Sequence, residues 1–469
     1  MTSKTLFPLL TAAFFAAVSS VFCNAQQPNI VLLLADDAGY HDFGFQCDEP
    51  ALRQATPNID SIATEGAKFT QAYVSANVCA PSRAGLLTGE YQQRYGFRDN
   101  LPGHWGKRPD PRWLTEEWRQ FGLEPGRKTI ADHLKPLGYY CGIVGKWHLG
   151  YTDEFAPMSR GFDYFNGLRS GSRSFFPVNA FGQLIPEQYE QLEENGRFLP
   201  ESEIRHVTET QADAAIGFID EAEERNEPFF LFLSFTAPHT PLQPDEQSLA
   251  IAKNLFPEAD GKRLAYLGLV IGMDRAVGRV LDRLERSQLD QNTLIVFMSD
   301  NGGSRKNASN NSPLSGHKWS PMEGGYRVPM ALKWRGVVKS GSMISEPVIS
   351  LDLLPTFVTA AGGTIPQNLD GKALQPVLAG NSLGDRTFYW WDYNSEGVTS
   401  TILRHPWKLI QQESSTRDEP AISQNKPWLF HLGNDLSETQ NMAETHPELV
   451  RQLKNHLMRW RNQLPKPNW

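Results

Sequence analysis

Four apolar runs of this chain end in side chains that can do chemistry. Asp36 and Asp37 close "NIVLLLADD", Lys146 and His148 close "GIVGKWH", His239 follows "FFLFLSFTAPH", and Asp300 and Asn301 close "LIVFMSDN". Taken singly, each is an ordinary strand-end turn, where Asp and Asn cap the next element. Taken together they form two complementary sets. Three carboxyls and one amide make an all-oxygen group whose mutual repulsion, if the four converge, demands a cation. Oxygen ligation favours calcium or magnesium over zinc. Arg83, Lys146, His148, His239 and Lys318 form the basic set. A hard metal with two lysines and an arginine suits a tetrahedral oxyanion whose charge must be balanced.

A further stretch, "NVCAPSRAGLLTG" (77–89), sets Cys79 in a turn rich in proline, serine and arginine. Pro81 fits the first position of a helix and Gly89 its end. Residue 79 is then expected just ahead of a helix N-terminus, an anion-binding location. On the residues alone Cys79 reads as a core thiol, half of a disulfide or a nucleophile. Ser82 reads as local backbone support, and Trp147 as a wall of the site.

The elements that must position these groups are legible as patterns. Residues 31–35, 140–145, 229–235 and 294–299 are almost continuously apolar, and helical periodicity flanks them at 56–69, 204–225 and 262–286. That is the pattern of an α/β fold whose parallel sheet is covered on both faces. In such sheets ligands bind in the crevice at the strands' carboxyl ends. After about residue 385 the texture changes to aromatic and β-branched runs of hairpin length, "RTFYWWDYNSEGVTSTILRHPWKLIQQ", then a helical run near 447–462. The expected division is a signal peptide at 1–25, a catalytic domain at 26–385, and a smaller antiparallel-sheet subdomain with a closing helix at 386–469.

The first 25 residues carry one charge, Lys4, before an apolar run, with Cys23 and Ala25 at the positions a signal peptidase reads. The run is short and broken by Pro8, Ser19 and Ser20, so it does not read as a membrane span. The mature chain is therefore expected in the periplasm or outside the cell, with no stable membrane insertion, and export tilts the cation towards calcium. A net charge of −8 argues against non-specific nucleic-acid binding. Cys47, Cys79 and Cys141 would remain, too few for a disulfide scaffold and wrongly spaced for zinc. Two free buried thiols are favoured over a Cys47–Cys141 bridge.

These residues carry a family resemblance. "CAPSRAGLLTG" resembles the type I sulfatase signature, and "PNIVLLLADDAGYHDFG", "GKWHLG", "APHTP", "SDNGG" and "GHKWSPMEGGYRVP" resemble that family's other blocks, in the same order over about residues 28–360. "PWLFHLGNDLSETQNMA" resembles its C-terminal subdomain. The resemblance implies an alkaline-phosphatase-like doubly wound mixed sheet sandwiched by helices. It implies that a maturation enzyme, acting on the unfolded chain, oxidises Cys79 to formylglycine (3-oxoalanine). One hydroxyl of the hydrated aldehyde attacks the sulfur of a sulfate ester, and the other lets the adduct collapse. By motif position, Asp36, Asp37, Asp300 and Asn301 hold one Ca²⁺ that also contacts residue 79, with Asp300 assisting deprotonation of the attacking hydroxyl. Arg83 and Lys146 steady residue 79, His148 serves as base for the collapse, and His239 and Lys318 bind the ester and help protonate the departing oxygen.

Substrate choice is expected where the family pattern stops. The segment 98–122 mixes His104, Arg108 and Arg112 with three tryptophans, the flat faces and cationic forks that sulfated sugars need. Arg173, in "LRSGSRSFFPVNAFG", is a second candidate, where many glycan-active relatives look to have a histidine. Trp390, Trp391 and Asp392 are a third. The wording around the signature resembles bacterial enzymes that desulfate carrageenans, other sulfated galactans or glycosaminoglycans, so the expected substrate is a sulfated carbohydrate. The alternatives are an arylsulfatase with a tight apolar slot, a phosphonate or phosphate monoester hydrolase of the same superfamily, and a non-catalytic sulfoglycan-binding protein with Cys79 unmodified.

Overall fold

Alternation along one strand decides the architecture. The computed structural model describes residues 27–101, 120–177, 191–394, 397–414 and 427–468, and in it β1 (Asn29–Ala35) is buried beyond its first residue. Val31 and Leu33 pack into one hydrophobic core, while Ile30, Leu32 and Leu34 pack into another. Strand side chains point to opposite faces in turn, so β1 must lie between two helix layers. Helices Val207–Arg225 and Gly261–Arg286 form the first core with it. Helices Cys79–Thr88, Ile130–Leu134 and Leu353–Ala360 form the second.

The other strands of the large sheet are β2 (Ala67–Tyr73), β3 (Tyr140–Lys146), β4 (Tyr164–Leu168), β5 (Glu193–Glu194), β6 (Arg197–Phe198), β7 (Phe229–Ser234), β8 (Thr293–Ser299), β9 (Arg327–Trp334), β10 (Ser342–Ile344) and β11 (Val348–Ile349). Their order is β10-β2-β9-β8-β1-β7-β3-β4-β5-β6, with β11 also on β2. The middle of the sheet, β8-β1-β7-β3-β4, is parallel throughout. Antiparallel β9 and β5 flank it, which makes the sheet mixed. The expected α/β class is the observed one.

A second sheet, β12 (Phe388–Asn394), β13 (Gly397–Arg404), β14 (Trp407–Ser414) and β15 (Trp428–His431), is antiparallel and in chain order. Leu453, Leu457 and Trp460 of the helix Pro447–Arg461 close its core. Tyr73 and Tyr326, from the large sheet's side, share that core with Trp390. Trp390 is fully buried, donates from Nε1 to the Val74 carbonyl at 2.8 Å and stacks on Tyr326 at 4.5 Å. Asp392 accepts from Tyr326 and Gln93, and Arg98 lies over the Trp391 ring at 3.8 Å. The aromatic run read as a sugar platform is thus packing between the two sheets.

Three local expectations change. Helix Cys79–Thr88 starts at Cys79 itself, with Val78 as N-cap, which puts Pro81 at the third helical position. Proline costs nothing there, because the first turn's N–H groups have no intrahelical partner. Ser82 is not local support: its hydroxyl donates to the Asp300 carbonyl at 2.5 Å. Trp147 belongs to the second hydrophobic core, and its Nε1 donates to the Phe155 carbonyl. Cys47 and Cys141 are free and buried. Among the described residues no helix is long and apolar enough to cross a membrane. The expected signal peptide lies outside the described residues.

Candidate active site

Parallel pairing lines up four strand ends. Ala35 sits beside Ser299, Leu34 beside Ser234, and Ser234 beside Gly145. The residues just beyond, Asp36 and Asp37 after β1, Asp300 and Asn301 after β8, His239 after β7, and Lys146 and His148 at the end of β3, therefore emerge along one edge. The helix Cys79–Thr88 points its first residue at that edge. Cys79 Sγ lies 3.5 Å from Asp36 Oδ1 and 3.7 Å from Asp37 Oδ1. Lys318 comes from the segment after β8, anchored by its backbone N–H on the Gly303 carbonyl at 3.0 Å.

The buried charges interlock. Lys146 Nζ is 2.6 Å from Asp36 Oδ2, and Lys318 Nζ is 2.6 Å from Asp37 Oδ1 and 2.9 Å from Cys79 Sγ. Arg83 donates from Nε to Asp300 Oδ2 at 2.9 Å, and from Nη1 to the Lys146 carbonyl and Ser234 Oγ. Its side chain is 1% exposed, so it braces Asp300 and the end of β3 from behind the cavity. Such an array survives burial only because each charge has a partner. Backbone strain concentrates here as well. Asp37, His148 and Trp319 have φ of 62°, 61° and 71°, values that side chains larger than glycine rarely adopt and that cluster at functional sites.

Burial pushes the Cys79 thiol up, against the pull of Lys146 and Lys318. An unmodified Cys79 is therefore a protonated thiol and a poor nucleophile. Burial would raise Asp37 too, but Lys318 and His239 outweigh it and hold its carboxyl below the usual range. Burial lowers His239 to about 4. Its Nδ1 faces the Thr240 carbonyl at 2.6 Å, so that nitrogen carries the proton and Nε2 lies 3.5 Å from Asp37 Oδ2. Asp300 is raised by burial and by Asp36 beside it.

Ligand atoms of Asp36, Asp37, Cys79 and His239 all lie within 4.8 Å of one another. Asn301 is decisive for a cation. Its Nδ2 donates to Asp37 Oδ1 and the Gly302 carbonyl, while its Oδ1, fully buried, has no hydrogen-bond partner among the described residues. A buried amide oxygen left over beside three carboxyls is the donor set of a hard metal ion, so the residues fit one.

A cavity of about 850 Å³ opens above this group, lined by Asp37, Cys79, Lys146, His148, His239 and Lys318. Arg83, Asp36, Asp300 and Asn301 are buried behind it. The sequence reading missed Arg305, Lys306, His317 and Trp319, which also line it. Their signal was adjacency, since "SRKN" directly follows "SDNGG" and His317 and Trp319 flank Lys318. Arg173 does not line the cavity: its guanidinium is buried and pairs with Glu201 at 3.1 Å, although nearby Gly171 does line it. His104, Arg108 and Arg112 lie outside the described residues.

The Sulfatase family model matches residues 28–363. The chain belongs to the sulfatase family. A second model, of the N-sulphoglucosamine sulphohydrolase C-terminal region, matches residues 318–463 of this sulfatase. It is 31% identical to the N-acetylgalactosamine-6-sulfatase of Canis lupus familiaris, over 93% of this chain and 85% of that one. It is 28% identical to a sulfatase of Formosa agariphila, over 99% and 94%. Among solved structures it is similar to Ps i-CgsB in complex with k-i-k-neocarrahexaose, at 33% identity and a TM-score of 0.82, covering 95% of each chain. It also shares its fold with a phosphonate monoester hydrolase from Silicibacter pomeroyi, at 18% identity and a TM-score of 0.64. The sulfatase is a sulfuric ester hydrolase with the alkaline-phosphatase-like fold.

Proposed function

We propose that this sulfatase hydrolyses sulfate esters on carbohydrate, specifically on sulfated polysaccharides of the carrageenan type or their oligosaccharides. The observation that carries the reading is the likeness, over 95% of both chains, to a structure holding a neocarrahexaose. The cavity's chemistry agrees. Lys146, Lys306, Lys318 and Arg305 on its walls suit a polyanionic sugar, and it is no tight apolar slot of the kind an aryl ester would favour. Release to the periplasm or the medium, where such polymers are met, is part of the proposal.

Residue 79 acts as formylglycine, installed by a maturation enzyme, and hydrated it supplies the hydroxyl nucleophile that the buried thiol does not. Asp36, Asp37, Asp300 and Asn301 would hold a calcium ion, which would supply Lewis-acid charge. The remaining work falls to side chains. Arg83 fixes Asp300, and Asp300 assists in taking the attacking hydroxyl's proton. Lys146, paired with Asp36, balances the sulfate's negative charge. His148, on the cavity wall, takes the proton of the second hydroxyl as the C–O bond to the sulfate breaks, which releases sulfate and returns residue 79 to its aldehyde. Lys318 stays charged against Asp37 and stands closest to residue 79, so it is the proton-bearing group for the departing oxygen, with His239 orienting the ester. An alcohol leaves poorly, so that help matters more for a sugar than for a phenol.

The test is incubation with defined sulfated oligosaccharides, reading which position loses sulfate. Desulfation of a carrageenan oligosaccharide is expected. Release from aryl sulfates alone would overturn the carbohydrate reading. Peptide mass of residue 79, expected about 18 Da below cysteine from the atoms exchanged, tests the modification. An intact thiol in protein from its native host would leave a binding protein instead.

A further inference from the structure

A second cavity, of about 430 Å³, lies in the C-terminal part of the chain, between the β13–β14 turn and the helix Pro447–Arg461. None of its lining residues lines the catalytic cavity. In a chain of net charge −8 its lining holds two arginines, two histidines and no carboxylate. Gln452, Asn455, His456 and Arg459 recur at helical spacing, one polar stripe along a single helix face. Arg404 faces them from the end of β13. Among the described residues its one carboxylate contact, Asp385 at 3.1 Å, is solvent-exposed on both sides, the kind of pair that exchanges readily for another anion.

The floor is prepared as well. Trp407 opens β14 and is only partly buried. His431 meets its ring edge-on at 4.6 Å, and His446 packs against it at 5.1 Å. An indole packed by two imidazoles, beside two guanidiniums and a row of amide and imidazole groups, brings an aromatic ring and anion donors together in one groove lining. A sugar ring carrying sulfate groups needs those two things together.

We propose that this groove is a second binding site for a sulfated glycan chain, which holds the polymer while another part of it is desulfated. The proposal rests on the carbohydrate reading of the catalytic site. Arg404 and Arg459 take sulfate groups, and Trp407 takes the face of a sugar ring.

The experiment uses carrageenan polymer as probe and the full-length protein with Cys79→Ala, so that binding is read without turnover. Adding R404A and R459A should weaken polymer binding at least tenfold at physiological salt, and W407A should weaken it with no change of charge. A control pair, R53A and R225A, removes two exposed arginines elsewhere and should change nothing. In the active enzyme, R404A with R459A should raise KM for the polymer and leave a sulfated disaccharide unaffected. Equal weakening by the control pair, or unchanged polymer affinity in the groove variant, would overturn the site. Failure of the enzyme to desulfate any glycan would overturn the catalytic reading instead. The groove would then stand or fall on the binding arm alone.

Discussion

The ammonium of Lys318 lies 2.6 Å from Asp37 Oδ1, and this contact ties the cavity wall to the oxygen cluster beneath it. Asp37 is buried and ionised, so removing Lys318 leaves a carboxylate without its principal counter-charge. Lys318→Ala should lower kcat by about 10²–10³-fold, the cost of deleting one charged donor at a reacting oxyanion. It should also lower Tm, and added calcium should recover part of that loss. A variant within tenfold of wild type in sulfate release would remove Lys318 from the reaction.

The unpartnered Oδ1 of Asn301 predicts a calcium-dependent stability. Calcium at a hundred times its Kd should stabilise the chelated protein by about 2.7 kcal/mol. Asn301→Ala should need at least tenfold more calcium for the same shift. The measurement is a thermal melt against calcium concentration. No shift at millimolar calcium would sink the assignment of these four residues as a metal site.

Most of the site was legible because it is assembled by topology. Once β1, β3, β7 and β8 were read as parallel buried strands, Asp36, Lys146, His239 and Asp300 had to share an edge. The fold class followed from the same continuous apolar runs. What the sequence hid were the partners of charged side chains. Arg173 has the composition of a ligand-binding arginine, yet Glu201 holds it inside the protein. Trp390 and Asp392 looked like an open platform because their partners, Val74, Tyr326 and Gln93, are far away in the chain. Arg305 and Trp319 were overlooked because nothing local marks a loop residue as cavity-lining.

Arg305 offers the cleanest separation of binding from chemistry. It is exposed and lines the cavity, and among the described residues it makes no ion pair with the buried cluster. Arg305→Ala should raise KM for a sulfated oligosaccharide by roughly tenfold, about one charge-assisted hydrogen bond, with kcat nearly unchanged. A comparable fall in kcat would instead place Arg305 at the reacting sulfate.

Lys408 joins the two sheets electrostatically, 3.0 Å from Glu323 Oε1 and 2.8 Å from Glu438 Oε1, all three fully or nearly fully buried. Lys408→Met leaves two carboxyls facing each other and should cost about 3–5 kcal/mol. Combining it with E323Q and E438Q should return part of that stability, since the two facing carboxylates are then gone, and only part because Arg327 loses Glu323 at 3.5 Å. Chemical denaturation of the single and triple variants decides the matter; a single variant as stable as wild type would mean the contact contributes nothing.

Asp274 predicts a pH dependence of stability. It accepts from Asn58 Nδ2 at 2.7 Å and the Ile59 N–H at 2.8 Å, which staples the start of the helix Pro57–Thr64 to the helix Gly261–Arg286. Burial raises its carboxyl from 3.8 to about 7. Between those values the folded chain keeps a proton that the unfolded chain has released, so this group's contribution is full below pH 4 and is lost as pH rises towards 7. Asp274→Asn removes the titration, but both carboxyl oxygens accept N–H groups here, so its Nδ2 gives up one of those bonds. The variant should be the less stable near pH 4, and the gap should move in its favour as pH rises to 8, by on the order of 4 kcal/mol at most. Other carboxylates titrate in the same range in both proteins, so the difference between the two melts is the quantity to follow. A constant difference across that range would show that Asp274 is ionised in the folded chain even at low pH.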